Sequence, residues 1–173
     1  IRSRSRLARA LERPADPLAE LPMTVESHQV TGHVLLVGYG RVGRRIGEAL
    51  TEQRLPLVVA EQNRDRVEQL RERGIHAVAG DASIPAVLIQ AHVARAGVLV
   101  IATPDTVRVR RMIEIARALN PDIKTLVRTH SEEEAALLRK EQVGTVFLGE
   151  QELALSMIRH VLEYVAIRQG EHT

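Results

Sequence analysis

The stretch His33-Val-Leu-Leu-Val-Gly-Tyr-Gly-Arg-Val-Gly43 decides how this chain folds, because an apolar run of strand character passes directly into a glycine-spaced turn. A strand ending near Val37, a turn from Gly38 to Gly40 and a helix opening near Arg41 leave several backbone N–H groups without intrahelical acceptors, all facing one point. That point suits a phosphate. Gly38 permits the tight turn, Gly40 lets a pyrophosphate approach bare backbone, and Gly43 allows close helix-to-sheet packing. Taken alone, the three-glycine string fits a ligand-free strand-to-helix turn equally well. Its surroundings favour a ligand. Val42, Ile46, Ala49 and Leu50 have helical apolar spacing, and a second strand, Leu57-Val-Val-Ala60, leads to Glu61. An acid about twenty residues beyond the turn is the ribose partner this motif requires.

A chain of 173 residues is one domain of ordinary size, long enough to bury a core. Only 2% of it is aromatic, so the core must be built from Val, Leu, Ile and Ala. That composition favours parallel strands covered on both faces and argues against a nucleic-acid binder that stacks bases on aromatic rings. The absence of cysteine excludes disulfides and thiol chemistry and is compatible with a reducing cytosol. No apolar run approaches membrane-spanning length. The sequence begins at Ile1 rather than Met, without a signal-peptide pattern, and is expected to be part of a longer polypeptide.

Charge is unevenly placed. Arg2, Arg4, Arg6, Arg9 and Arg13 stand against Glu12 alone, a surplus larger than the net +2 of the whole chain, so the remainder is slightly acidic. Residues 1–13 read as a basic helical or flexible arm, and Pro14, Pro17 and Pro22 make the following stretch a linker. Such an arm is either a solvated tail or a juxtamembrane segment held near anionic lipids. The folded domain is expected to start near Thr31.

From His33 onward strand and helix patterns alternate, with strands near 33–38, 57–60, 76–79, 98–102, 125–129 and 145–148. Asn63 can cap the helix that Gly74 terminates, and Asp105 or Thr106 can open the one that runs to Leu119. Ser131 and Glu134 have capping-box spacing, and Gly144 closes the next helix. This punctuation predicts an α/β fold, a Rossmann-type doubly wound parallel sheet of six strands with a C-terminal helix.

A ligand in such a sheet crosses the carboxyl ends of the strands. After the third strand, Asp81 either accepts from an adenine amino group or helps cap the helix around Pro85 to Ala91. Thr103 offers a hydroxyl near the phosphate turn, or ordinary loop chemistry with Pro104 and Asp105. Arg128 ends the fifth strand, where it reaches a phosphate or ribose, or forms a surface salt bridge. The last helix carries Leu153, Leu155, Ile158, Val161, Leu162, Val165 and Ile167, more apolar surface than one face of a peripheral helix needs. Part of it is free to pack on another subunit or domain.

Catalytic chemistry is poorly provided for. No two of the seven histidines have metal-ligand spacing on one helix face, so no metal site is expected. Glu132, Glu133 and Glu134 suit a helix dipole, and His33 and His130 flank strands as structural residues. Residues 151–173 leave little room for a substrate domain. A Tyr-x-x-x-Lys pair is missing too, since Tyr164 is followed by Arg168, which does not give up its proton. The nucleotide is therefore expected to be sensed rather than used. The alternative is an NAD(P)-dependent oxidoreductase fragment lacking its substrate domain.

Val-Gly-Tyr-Gly-Arg-Val-Gly (37–43), Val-Val-Ala-Glu (58–61), Ala-Gly-Asp-Ala (79–82), Val-Arg-Thr-His (127–130) and Val-Phe-Leu-Gly-Glu (146–150) occur in one order. Together they resemble the TrkA-N, or RCK N-terminal, domain of Kef-type potassium/cation:proton antiporters, and within that group the inner-membrane branch whose turn reads Gly-Tyr-Gly-Arg-Val-Gly. The resemblance covers about residues 31–165. It implies a juxtamembrane arm and linker at 1–30, a nucleotide-binding domain at 31–150, and a C-terminal helix at 151–173 that makes a dimer or interdomain contact. It further implies a homodimer on the cytoplasmic face of the bacterial inner membrane, linked covalently to a transmembrane antiporter domain. The arm would touch the membrane surface, and no nucleic acid is expected as a partner. The regulatory ligand would be an adenine nucleotide, NAD(H) or AMP/ATP. Its phosphates would lie by Gly38, Tyr39, Gly40, Arg41, Val42 and Gly43, its ribose by Glu61 and Gln62, its adenine by Asp81 and Ala82, with Thr103 and Arg128 further along the strand ends. Many relatives carry Asp where Glu61 stands, and Arg64 nearby would tolerate a 2′-phosphate.

Overall fold

The apolar run ahead of the glycine turn becomes an interior strand of a six-stranded sheet in the computed structural model, which describes residues 16–22, 25, 27–103 and 105–170. The basic arm at 1–13 and Pro14 lie outside the described residues. In chain order the elements are β1 (Val34–Val37), α1 (Arg41–Glu52), β2 (Leu57–Glu61), α2 (Arg64–Glu72), β3 (His76–Ala79), α3 (Pro85–Gln90), β4 (Val98–Ile101), α4 (Thr106–Leu119), β5 (Lys124–Thr129), α5 (Glu132–Lys140), β6 (Thr145–Leu148) and α6 (Gly149–Gly170). The strands lie in the order β3-β2-β1-β4-β5-β6, and each neighbouring pair is parallel. This is the doubly wound sheet that the alternation predicts. The strand order reverses between β1 and β4, where Val37 is in register with both Ala60 and Ile101. That reversal opens a crevice at the strands' carboxyl ends.

Alternate residues of each strand face opposite sides. On one face Leu35, Val58, Val78, Leu99, Val127 and Val146 form a single core with Leu88 of α3, Met112 and Ile113 of α4, and Leu138 of α5. On the other, Leu36, Val59 and Ala77 meet Val67 and Leu70 of α2, with Ile46 and Leu50 of α1 packed against them. The second layer covers β1, β2 and β3. Beyond it, over β4 to β6, lies a trough of about 400 Å³ lined by Val42, Ile46, Val100, Leu126, Phe147 and the start of α6.

The expected punctuation is largely present. Asn63 accepts from the Arg66 amide at 3.0 Å, and Gly74 has φ +77 just after α2. The box at Ser131 is half formed: the Ser131 hydroxyl accepts from the Glu134 amide, whereas the Glu134 carboxylate accepts from the Thr129 hydroxyl. Asp81 does not cap α3, whose N-cap is Ile84; its carboxylate accepts from the Ser83 amide and hydroxyl in a local turn.

The proline-containing stretch before the domain is fastened down where it is described. Arg71 donates to the carbonyls of Pro17, Leu18, Glu20 and Ala77, the Ala79 amide donates to Leu18, and Arg64 pairs with Asp16 at 2.5 Å. The Arg64 guanidinium holds the Asp16 carboxyl down at about 2. Leu18 packs on the α1/α2 core, and Leu21 and Val25 pack on the other.

Candidate functional site

Gly38 adopts φ +88, and a Cβ there would stand 3.2 Å from the Thr103 amide nitrogen, so both conformation and space call for glycine. A Cβ on Gly43 would meet the Gly38 carbonyl oxygen at 2.0 Å, which accounts for the close seating of α1 against the turn. Gly40 differs. Its added Cβ would meet nothing within 4 Å, so no atom of the chain demands glycine there and the space above it is left for something else. Gly40 is also the N-cap of α1 and supplies no side-chain cap, leaving first-turn amides with their partial positive charge uncovered.

Glu61, at the tip of β2, reaches across to the same turn. Its Oε2 accepts from the Tyr39 amide at 2.7 Å and from Arg66 at 3.2 Å, and its Oε1 accepts from the Asn63 amide at 2.8 Å. A carboxylate has about four acceptor positions, so one remains for a ligand hydroxyl. The acid thus braces the turn and keeps capacity to spare.

The resulting cleft encloses about 940 Å³. Ten of the sequence-predicted residues line it: Gly38, Tyr39, Gly40, Arg41, Val42, Glu61, Gln62, Ala82, Thr103 and Arg128. Gly43 lies behind the turn as a packing residue. Asp81 stands outside the lining, joined to it by Arg108 at 2.9 Å. Partial burial pushes the Asp81 carboxyl up, but the Ser83 bonds and the Arg108 charge outweigh it and hold it below the usual carboxylate range. Arg128 donates to the Ala102 carbonyl at 3.4 Å and forms no ion pair among the described residues.

Sequence reasoning missed four lining residues with polar chemistry: Arg66, Asp105, Arg108 and His130. The i,i+3 spacing of Asp105 and Arg108, which are paired at 3.2 Å, was the available signal for the second arginine. His130, expected to be structural, follows β5 into the cleft. Arg64 is turned away to Asp16, and Arg66 occupies the position by Glu61 that had been expected of it. Four guanidinium groups, from Arg41, Arg66, Arg108 and Arg128, therefore border one crevice with Glu61 and Asp105. Cations and uncapped amides on one side and a buried acceptor on the other suit a molecule carrying both phosphate and hydroxyl groups.

Among known proteins, the TrkA-N domain family matches residues 34–148. The chain is 40% identical over 129 residues to the candidate cation/proton antiporter YbaL of Escherichia coli (strain K12), covering 75% of this chain and 23% of that one. It is 29% identical over 138 residues to the candidate K(+) efflux antiporter KefB of Alkalimonas amylolytica, covering 80% and 21% respectively. The chain thus spans less than a quarter of either relative's length. The crystal structure of the TrkA-N domain of the inner membrane protein YbaL from Escherichia coli matches with a TM-score of 0.71 at 40% identity, over 75% of this chain and 96% of that one. A GsuK channel bound to NAD matches with a TM-score of 0.61 at 25% identity, over 81% of this chain and 25% of the channel.

Proposed function

The chain belongs to the TrkA-N domain family, and from that premise we propose that it is the adenine-nucleotide-sensing regulatory domain of a Kef-type monovalent cation (potassium):proton antiporter. The nucleotide lies across the β1/β4 reversal. Its phosphates meet the α1 amides, Arg41 and Arg128, and its ribose hydroxyls meet Glu61 beside Gln62. The adenine sits toward Ala82, with Asp81 acting through Arg108, and Thr103 closes the far wall. The observation that carries this reading is the open space above Gly40, next to uncapped amides and a carboxylate with a free acceptor position.

The nucleotide is read and released unchanged. It biases the attached ion pathway by binding one arrangement of the domain more tightly than another. Two copies form the working unit on the cytoplasmic face of the membrane, joined to the transmembrane part through residues 1–30. Support for the pair comes from the face on which Val100 of β4 is only half-buried and Phe147 of β6 is exposed, and from α6, whose Leu153, Ile158, Val161, Leu162 and Val165 are all exposed in the protomer. One chain presents an uncovered helix and an uncovered face, the two parts a self-complementary interface requires.

Isothermal titration with NAD, NADH, AMP and ATP tests the reading. Gly40→Val should abolish binding while the domain stays folded, and Glu61→Ala should weaken it. Unaltered affinity in both variants refutes the site, and sustained loss of NADH absorbance with carbonyl substrates refutes the sensor.

A further inference from the structure

Tyr39 and Gly40 form a ridge with the nucleotide cleft on one side and, on the other, a second depression of about 480 Å³ that carries Arg41, Arg44, Arg66 and Arg73. Tyr39, Gly40, Arg41 and Arg66 line both spaces, so the two adjoin. Among the described residues, the guanidinium groups of Arg41, Arg44 and Arg73 have no hydrogen-bond or ion-pair partner, and the fourth is shared with Glu61. Tyr39, only 4% exposed, has its ring against Gly47 and its buried hydroxyl without a hydrogen-bond partner. Burial keeps that hydroxyl protonated, with the charges of Arg73, Glu48 and Arg44 around it. Three unpaired cations on one depression describe a place for an anion with several acceptor oxygens.

The position narrows the choice. A ribose held by an acid at the tip of β2 turns its 2′-hydroxyl toward the start of α2, and a neighbouring arginine there accommodates a 2′-phosphate. A free carboxylate at this point would repel such a phosphate. Glu61 is not free, because two amides and Arg66 already draw on its charge. We propose that the depression is a phosphate-monoester subsite for the 2′-phosphate of an adenosine ribose seated at Glu61, so that the domain prefers NADP(H) to NAD(H). This rests on the nucleotide reading of the main cleft and names which nucleotide it favours.

Titrating the 173-residue chain with NAD+, NADP+, ADP-ribose, 2′-phospho-ADP-ribose and inorganic pyrophosphate tests the subsite. Each 2′-phosphorylated ligand should bind about tenfold more tightly than its partner, the scale of one hydrogen bond to a charged group. The double variant Arg44→Ala/Arg73→Ala, altered outside the main cleft and checked for folding by circular dichroism, should lose that preference and keep its affinity for NAD+. Equal binding of NAD+ and NADP+ by the unaltered chain overturns the subsite and leaves the main site standing. Equal weakening of both ligands in the double variant does the same. Pyrophosphate binding to the NAD+-saturated chain, lost in the double variant and unaccompanied by any NADP+ preference, replaces the proposal with a free-anion site. If no nucleotide binds at all, the reading of the main cleft falls and the subsite falls with it.

Discussion

The two halves of the sheet are written in nearly the same letters and end in opposite situations. β2, Leu57-Val-Val-Ala-Glu61, is buried at each of its five positions. β4, Val98-Leu-Val-Ile101, is as apolar, yet only alternate residues are buried, and in β6 Phe147 remains 37% exposed. The difference lies in the helices. α3, α4 and α5 cover one face along its whole width, whereas α1 and α2 cover the other only over β1 to β3. A run of apolar residues in a parallel strand announces that both faces will be covered without saying by what. The closed half finds its cover within the chain and brings the glycine turn and Glu61 to the cleft, whose other wall comes from the ends of β4 and β5. The open half has no such cover among the described residues, and α6 is exposed from Gly149 to Arg168.

The contrast can be broken most severely at Gly43. In Gly43→Ala the new methyl would collide with the Gly38 carbonyl, and the closed half should lose about 3 kcal/mol of stability in urea unfolding. A result near zero would show that α1 is not seated as tightly as described. The open half is broken by Ile158→Asp/Leu162→Asp, which removes apolar surface that is exposed in the protomer. Sedimentation equilibrium should find the proposed dimer weakened about 30-fold, with unfolding of the protomer little changed. Glu61→Gln sharpens the contrast, because it keeps an acceptor at the turn and removes the charge paired with Arg66; nucleotide affinity by titration should fall about tenfold.

The smallest effect concerns the foot of the closed half. His33 is fully buried, with Nε2 against the Ala91 carbonyl, and burial pushes its pKa below the ordinary 6.5. The unfolded chain therefore takes up the proton first. His33 contributes no pH dependence above about 6.5, and stability falls as pH drops below that value toward the lowered folded one. His33→Gln should flatten the urea midpoint between about pH 7 and 5, in part only, since burial lowers His76 and His92 in the same direction.

Much of the closed half was legible because its signals are local. The glycine spacing and the strand before it act within a few residues of the atoms they serve, and the acid that ends β2 reaches the turn at a separation that the motif itself fixes. What could not be read depends on direction. Arg64 and Arg66 sit two residues apart at the start of α2, so roughly 200° of helix separates them, and spacing alone does not say which one faces inward. Only the position of Asp16 against α2 draws Arg64 outward and leaves Glu61 to Arg66. Arg108 was hidden for a similar reason, since it joins Asp81 and Asp105, acids from the ends of two different strands. The bare face over β4 to β6 left no mark, because a residue that waits for a partner and one that already has it are the same residue.

β3 is an outer strand, and outer strands are where foreign strands add and aggregates start. Here that rim is guarded, because Leu18 takes the Ala79 amide and Arg71 ties down the carbonyls of Pro17, Leu18 and Glu20. Trimming the chain to a start at residue 31, as a tidy-minded expression design would, strips the guard, and clear solutions should turn cloudy on concentration while the fold itself survives.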